Sequence, residues 1–100
     1  MESIKDRVAI VGMGCTKFGE NWDKSSDDMI IEAVYEACDD ASISPQDVQA
    51  VWIGSYWSNL PAPSQPLATL LKLDYKPITR IENMCATASD SLRNAAYAVA

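Results

Sequence analysis

The sequence contains no histidine, only four glycines and a single phenylalanine among its 100 residues. Without histidine, and with Cys15, Cys38 and Cys85 far apart, close metal-ligand spacing is missing and no metal site is expected. No apolar run approaches the roughly 20 residues that a membrane-spanning helix needs. The charged opening, Met1 to Arg7, lacks the apolar stretch of a secretory signal. Three cysteines without such a signal predict free thiols in a reducing compartment, with the cytoplasm as the default location. A cluster of basic residues is absent too. Between Glu20 and Asp47 lie nine acidic residues and one lysine, and the net charge is −6. A surface that tracks nucleic-acid phosphates needs the opposite sign, so no nucleic-acid partner is expected. The acidic stretch reads as a solvated helix face.

What is present is ordinary globular composition, 48% hydrophobic and 22% charged. The length allows one small domain at most. Val8 to Val11 is a short unbroken apolar run, which suits a strand buried on both faces. Gly12-Met13-Gly14 ends it, and the two glycines read as a tight turn. Ser25, Ser26 and Asp27 offer caps for a helix whose Met29, Ile30, Ala33, Val34, Ala37, Cys38 and Ala41 share one face. Ser44-Pro45-Gln46-Asp47 predicts a capped short turn, with Asp where an ideal capping box has Glu or Gln. A second strand is expected over Val48 to Ile53 and a third from Ile78 to about Glu82. Between them, Ser58 to Pro66 holds three prolines and reads as irregular, followed by a short helix to Leu71. From Cys85 onward the pattern is helical and unusually rich in alanine, which predicts close packing against other elements. Strand and helix alternate three times, the mark of an α/β domain with a largely parallel sheet. The helical pattern still runs at Ala100 without a terminator. This predicts that residues 1–100 are a partial amino-terminal domain, truncated within a helix.

Gly12-Met13-Gly14 does not continue as a dinucleotide fingerprint, because Lys17 stands at the sixth position and no helix opens there. No phosphate loop is completed. Cys38 falls on the apolar face of the long helix and reads as core. Cys15 lies in a loop with nothing that marks it as reactive. The carboxylates of the long helix have helical spacing and no catalytic arrangement. Cys85 has a different setting, between a strand ending and a helix beginning. Unpaired N–H groups at a helix start favour a thiolate and can stabilise an oxyanion. A lone cysteine before an alanine-rich helix is nevertheless more often a buried, inert thiol, and residue chemistry alone leaves both readings open.

The run Ile81-Glu82-Asn83-Met84-Cys85-Ala86-Thr87-Ala88-Ser89 resembles the active-site motif of the thiolase family, Asn-x-x-Cys followed by small residues. The stretch from Val8 to Gly19 resembles the opening of the sterol-carrier-type and archaeal thiolases. Glu32-Ala33, Asp40-Ala41, Ile43 and Asp47-Val48 fit the same pattern. The resemblance covers nearly all of this chain and the first part of a thiolase only. It implies a thiolase-like fold with a buried active-site helix, and Cys85 as the acyl-accepting nucleophile, its N–H a donor to the oxyanion. It also implies coenzyme A thioesters as substrates, with no permanently bound cofactor, in thiolytic cleavage or condensation of 3-oxoacyl-coenzyme A. The residues binding coenzyme A are not assigned by it.

The bases that family members use are histidines, with a second cysteine, from the later half of the chain. The resemblance therefore implies that the remainder of the chain, or a complementary subunit, completes the enzyme, within a homodimer or higher oligomer. Alone, the 100 residues are expected to be inactive. Ala88 departs from the family, where a glycine is common, and a methyl group there bears on the acyl pocket. Asn83 is expected to shape the turn. Trp52, Tyr56 and Trp57 are expected to pack around the second strand and the loop after it. Two rival expectations remain: a non-catalytic thiolase-like subunit supporting an active partner, and a relative of the ketosynthases or hydroxymethylglutaryl-CoA synthase.

Overall fold

The side chain of Ser25 accepts a hydrogen bond from the N–H of Asp28 (3.1 Å), and the Asp28 carboxylate accepts one from the N–H of Ser25 (2.9 Å). This reciprocal capping box starts helix α1, Ser26–Ala41. The helix stops where Ser42 enters the left-handed region (φ 56°). There the N–H groups of Ser42 and Ile43 turn back to the carbonyls of Asp39 and Cys38. The Ser44 turn closes in the same way: Asp47 accepts from the Ser44 N–H at 2.9 Å, so aspartate suffices in the place of glutamate.

The main-chain hydrogen bond from Ser25, followed by the one with its side chain, holds the Asp28 carboxyl below the usual carboxylate range. A depressed folded-state value contributes stability that is complete above that range and is lost as pH falls through the lowered value. Removing the cap oxygen in Ser25→Ala is expected to cost about 1 kcal/mol at neutral pH. Asp28→Asn removes the titrating part, so its difference from the parent chain narrows in acid. Urea unfolding at neutral and acid pH checks both outcomes.

The computed structural model describes residues 2–55 and 64–100. After α1 come a single 3₁₀ turn at Pro45–Asp47, strand β1 at Val51–Gly54, helix α2 at Ser64–Leu70, strand β2 at Ile78–Ile81, a second 3₁₀ turn at Met84–Ala86, and helix α3 at Thr87–Val99. β1 and β2 pair in parallel, with Val51 opposite Ile78 and Gly54 opposite Ile81. Parallel neighbours need a long crossover, and the connection between them contains α2.

Side chains on a strand alternate between faces, and this places the layers. Val51 and Ile53 of β1, with Ile78 of β2, meet Ile30 and Val34 of α1 around the buried Leu67, Leu71 and Leu73. Gly54, on the opposite face, lies against Thr87 and Ser91 of α3. The sheet therefore sits between α1 and α2 on one side and α3 on the other, an α/β arrangement built on a parallel two-stranded sheet. No described helix is long and apolar enough to cross a membrane.

Two sequence expectations are corrected. Val8 to Val11 forms no strand, and Ile10 and Val11 are about 70% exposed. A strand exists only where a neighbour completes its ladder, and among the described residues this segment has none; it runs along α1 instead. Gly12 and Gly14 are the reason it can do so. A Cβ on Gly12 would lie 2.3 Å from the carbonyl oxygen of Ala37, and one on Gly14 would lie 2.0 Å from that of Ala33. The glycines permit close approach to a helix and do not make a turn. The N–H of Met13 fixes the contact through a 2.9 Å hydrogen bond to Asp40.

The expected burial of the last helix is met on one face only. Thr87 is buried, whereas Leu92 and Val99 are largely exposed, because the sheet covers a single side of α3. Trp52 is half-buried on β1. Tyr56, Trp57 and the proline-rich stretch 58–63 lie outside the described residues.

Candidate functional site

Cys85 sits in the middle of the 3₁₀ turn that links the end of β2 to the start of α3. The strand delivers the chain to the end of the sheet, and four residues follow before the turn is closed by the N–H of Ala86 bonding to the carbonyl of Asn83 at 2.9 Å. Within it Met84 has a left-handed backbone, φ 47°. That conformation costs a side-chain-bearing residue roughly 1–2 kcal/mol, so the surroundings must impose it.

Thr87 bonds main-chain groups on both sides of this strained backbone. Its hydroxyl oxygen accepts from the N–H of Asn83 at 2.8 Å and donates to the carbonyl of Met84 at 2.7 Å. One buried side chain thus ties both limbs of the turn together. The N–H of Met84 is taken up by the Glu82 carboxylate. The methyl of Thr87 rests over Gly54 on β1, where an added Cβ would come within 2.6 Å of it. Ser91 adds a 3.1 Å hydrogen bond to the Thr87 carbonyl one turn further along.

Among the described residues Cys85 is exposed at this junction, so the burial expected of a lone cysteine before such a helix is not met. Among the described residues its own N–H has no hydrogen-bond acceptor. An open thiol beside an unpaired N–H at a helix start has the parts needed to accept an acyl group and to hold the resulting oxyanion. Asn83 shapes the turn as expected, yet through its main-chain N–H and carbonyl, since its side chain makes no capping bond. With Ala86, Ser89, Asp90 and Arg93 it borders an open hollow of about 180 Å³ beside the turn. Arg93 is ion-paired to Asp90 there. Ala88 is exposed.

The other two thiols lie in different surroundings. Cys15 is exposed in the loop after Gly14. Cys38 is buried on α1, and that burial, with the nearby Asp39 and Asp47 charges, pushes its thiol pKa up. Sequence reasoning placed Cys85 at a strand–helix junction, as the structure does, but missed Thr87. A threonine at the first helical position, two residues after the cysteine, was the available signal.

No family model matches the chain. It is 37% identical over 97 residues to acetyl-CoA acetyltransferase of Methanocaldococcus jannaschii, a match covering 93% of this chain and 25% of that protein. Identity and coverage are the same for acetyl-CoA acetyltransferase of Methanothermobacter thermautotrophicus. Non-specific lipid-transfer protein-like 2 of Caenorhabditis elegans is 33% identical over 97 residues, covering 92% and 23% of the two chains. Among solved structures, 3-oxoacyl-[acyl-carrier-protein] synthase III of Aquifex aeolicus superposes with a TM-score of 0.62 at 19% identity, over 72% of this chain and 24% of the other. The chain spans about a quarter of the length of the curated relatives it matches. Over most of its own length, therefore, it matches the fold of the thiolase and ketoacyl-synthase superfamily.

Proposed function

We propose that these residues supply the nucleophile segment of an acyltransferase working on coenzyme A thioesters, with Cys85 as the acyl acceptor. The observation that carries the reading is the exposed thiol on a pinned strand–turn–helix junction, in a chain 37% identical to acetyl-CoA acetyltransferases. The Cys85 sulfur, as thiolate, attacks the thioester carbonyl and forms a new carbon–sulfur bond. The carbonyl oxygen carries the negative charge, and in this reading the Cys85 N–H donates to it. When the intermediate collapses, the bond to the coenzyme A sulfur breaks. The departing thiolate takes up the proton that Cys85 lost. An acyl-cysteine and free coenzyme A result, and the acyl group then passes to the second substrate, or to coenzyme A in the direction of thiolysis.

Proton transfer in both halves of this cycle needs a base. This sequence has no histidine to serve. In this reading the base and the coenzyme A contacts come from a longer chain or a complementary subunit, of which these residues are the amino-terminal part, and the working form is a dimer or larger. The structural match to 3-oxoacyl-[acyl-carrier-protein] synthase III favours a second reading, a ketosynthase relative. It shares the acyl-cysteine and differs in the acceptor.

Intact mass of the complete protein before and after incubation with acetyl-coenzyme A tests the proposal. The expected result is one acetyl-sized increase that maps to the peptide containing Cys85. No increase in the complete protein or complex would sink it, leaving the non-catalytic subunit. Deacylation by a second acetyl-coenzyme A, against deacylation by a carrier-protein thioester, separates thiolase from ketosynthase chemistry.

A further inference from the structure

We infer that Thr87 is a positioning residue for Cys85: its side chain wedges between Gly54 of β1 and the turn, and fixes the direction in which the thiol is presented. The inference rests on the reading of Cys85 as acyl acceptor and adds a residue and a route of control to it. Three independent features of Thr87 converge. Its hydroxyl bonds both Asn83 N–H and Met84 carbonyl, the groups that flank the strained backbone just before Cys85. It is 7% exposed, the one polar side chain among the described residues that is buried. Its methyl occupies the space opened by the missing side chain of Gly54.

These features act together. A hydroxyl that can rotate freely does not hold a turn, because it exchanges partners with water. The methyl in its slot removes that freedom and leaves the oxygen facing the turn. Position is thereby passed from the sheet, through Gly54 and Thr87, to the peptide between Met84 and Cys85. A helix alone would not provide this, since neither Asn83 nor Ala86 caps α3 with a side chain. A displacement of the reacting atom by about 1 Å is enough to slow a reaction on the order of 10²-fold.

The test compares Thr87→Val and Thr87→Ser in the complete protein, by acylation with acetyl-coenzyme A under single-turnover conditions. Valine keeps the shape and the slot but loses the oxygen. It is expected to lower the acylation rate roughly 10- to 100-fold, with little change in the concentration of acetyl-coenzyme A giving half-maximal rate. Serine keeps the oxygen but leaves the slot over Gly54 empty, so its rate is expected to fall between those of the parent and valine; a purely packing role would instead spare valine and slow serine.

Equal rates for valine and parent would overturn the inference and leave Cys85 as acyl acceptor untouched. A parent that does not acylate at all would overturn both. Should the valine variant not fold, amide hydrogen exchange in the parent decides. Protection of the Asn83 N–H in this exposed turn supports the tie to Thr87, and exchange at the rate of a free amide refutes it.

Discussion

Cys85→Ser in the complete protein is expected to abolish acetyl incorporation and to lower turnover by a factor on the order of 10⁴ or more. An alcohol at this place is not ionised near neutral pH, whereas a thiol gives up its proton far more readily and is the better nucleophile toward a thioester. The fold is expected to tolerate the change. Serine has nearly the shape and volume of cysteine, so the replacement is expected to shift stability little. Loss of activity with an unchanged thermal midpoint therefore reports chemistry and not unfolding. Cys15→Ser is the matched control, an exposed thiol in another loop, and is expected to keep full activity. Cys38 remains a poor nucleophile in every variant, because burial keeps its thiol protonated. Turnover that survives in Cys85→Ser would move the acyl acceptor elsewhere.

Gly14→Ala is expected to cost about 1–3 kcal/mol and to release the segment from α1 locally. The added methyl would stand 2.0 Å from the Ala33 carbonyl oxygen and 2.8 Å from the Ala37 nitrogen. Both are backbone atoms inside a hydrogen-bonded helix and cannot rotate aside, so the segment itself must move. The Met13 N–H then leaves Asp40, and its amide exchange should accelerate while exchange in α2 and β2 stays as before. The same substitution at Gly12 meets the Ala37 carbonyl oxygen at 2.3 Å and should act in the same direction. Unchanged exchange at Met13 in either variant would show that the approach to α1 is not close in solution.

How far the fold was legible differs from element to element, for physical reasons. Helix α1 was legible because its information is local: Ser25 and Asp28 close the cap, and the apolar residues repeat at helical spacing. β1 and β2 were legible to within a few residues, since apolar runs between turn signals mark strands. Val8 to Val11 carries the same kind of run, yet strand formation depends on a neighbour that its own residues do not encode. The two glycines were ambiguous in a similar way. Glycine permits a turn and permits close approach, and only the position of Ala33, Ala37 and Ala41 across the gap decides between them.

At the candidate site, the junction around Cys85 followed from the change of pattern after Ile81. The role of Thr87 did not. It depends on Met84 taking a left-handed backbone, which methionine as a residue type does not announce, and on Gly54, far away in sequence. The slot could be found only once β1 and α3 were seen together.

That slot also sets an order in time. Parallel strands cannot pair until the crossover between them exists, so β1 waits through synthesis until positions 78–81 have left the ribosome. Even then both limbs of the turn lack their tie, because the residue that joins them belongs to the next helix. The strand pairing and the seat of Thr87 on Gly54 are long-range contacts, which form late and slowly compared with a helix such as α1. The Cys85 turn thus takes its native form only after strand, crossover and final helix have assembled. An early, loosely held thiol is one that a nascent chain carries before its geometry is set.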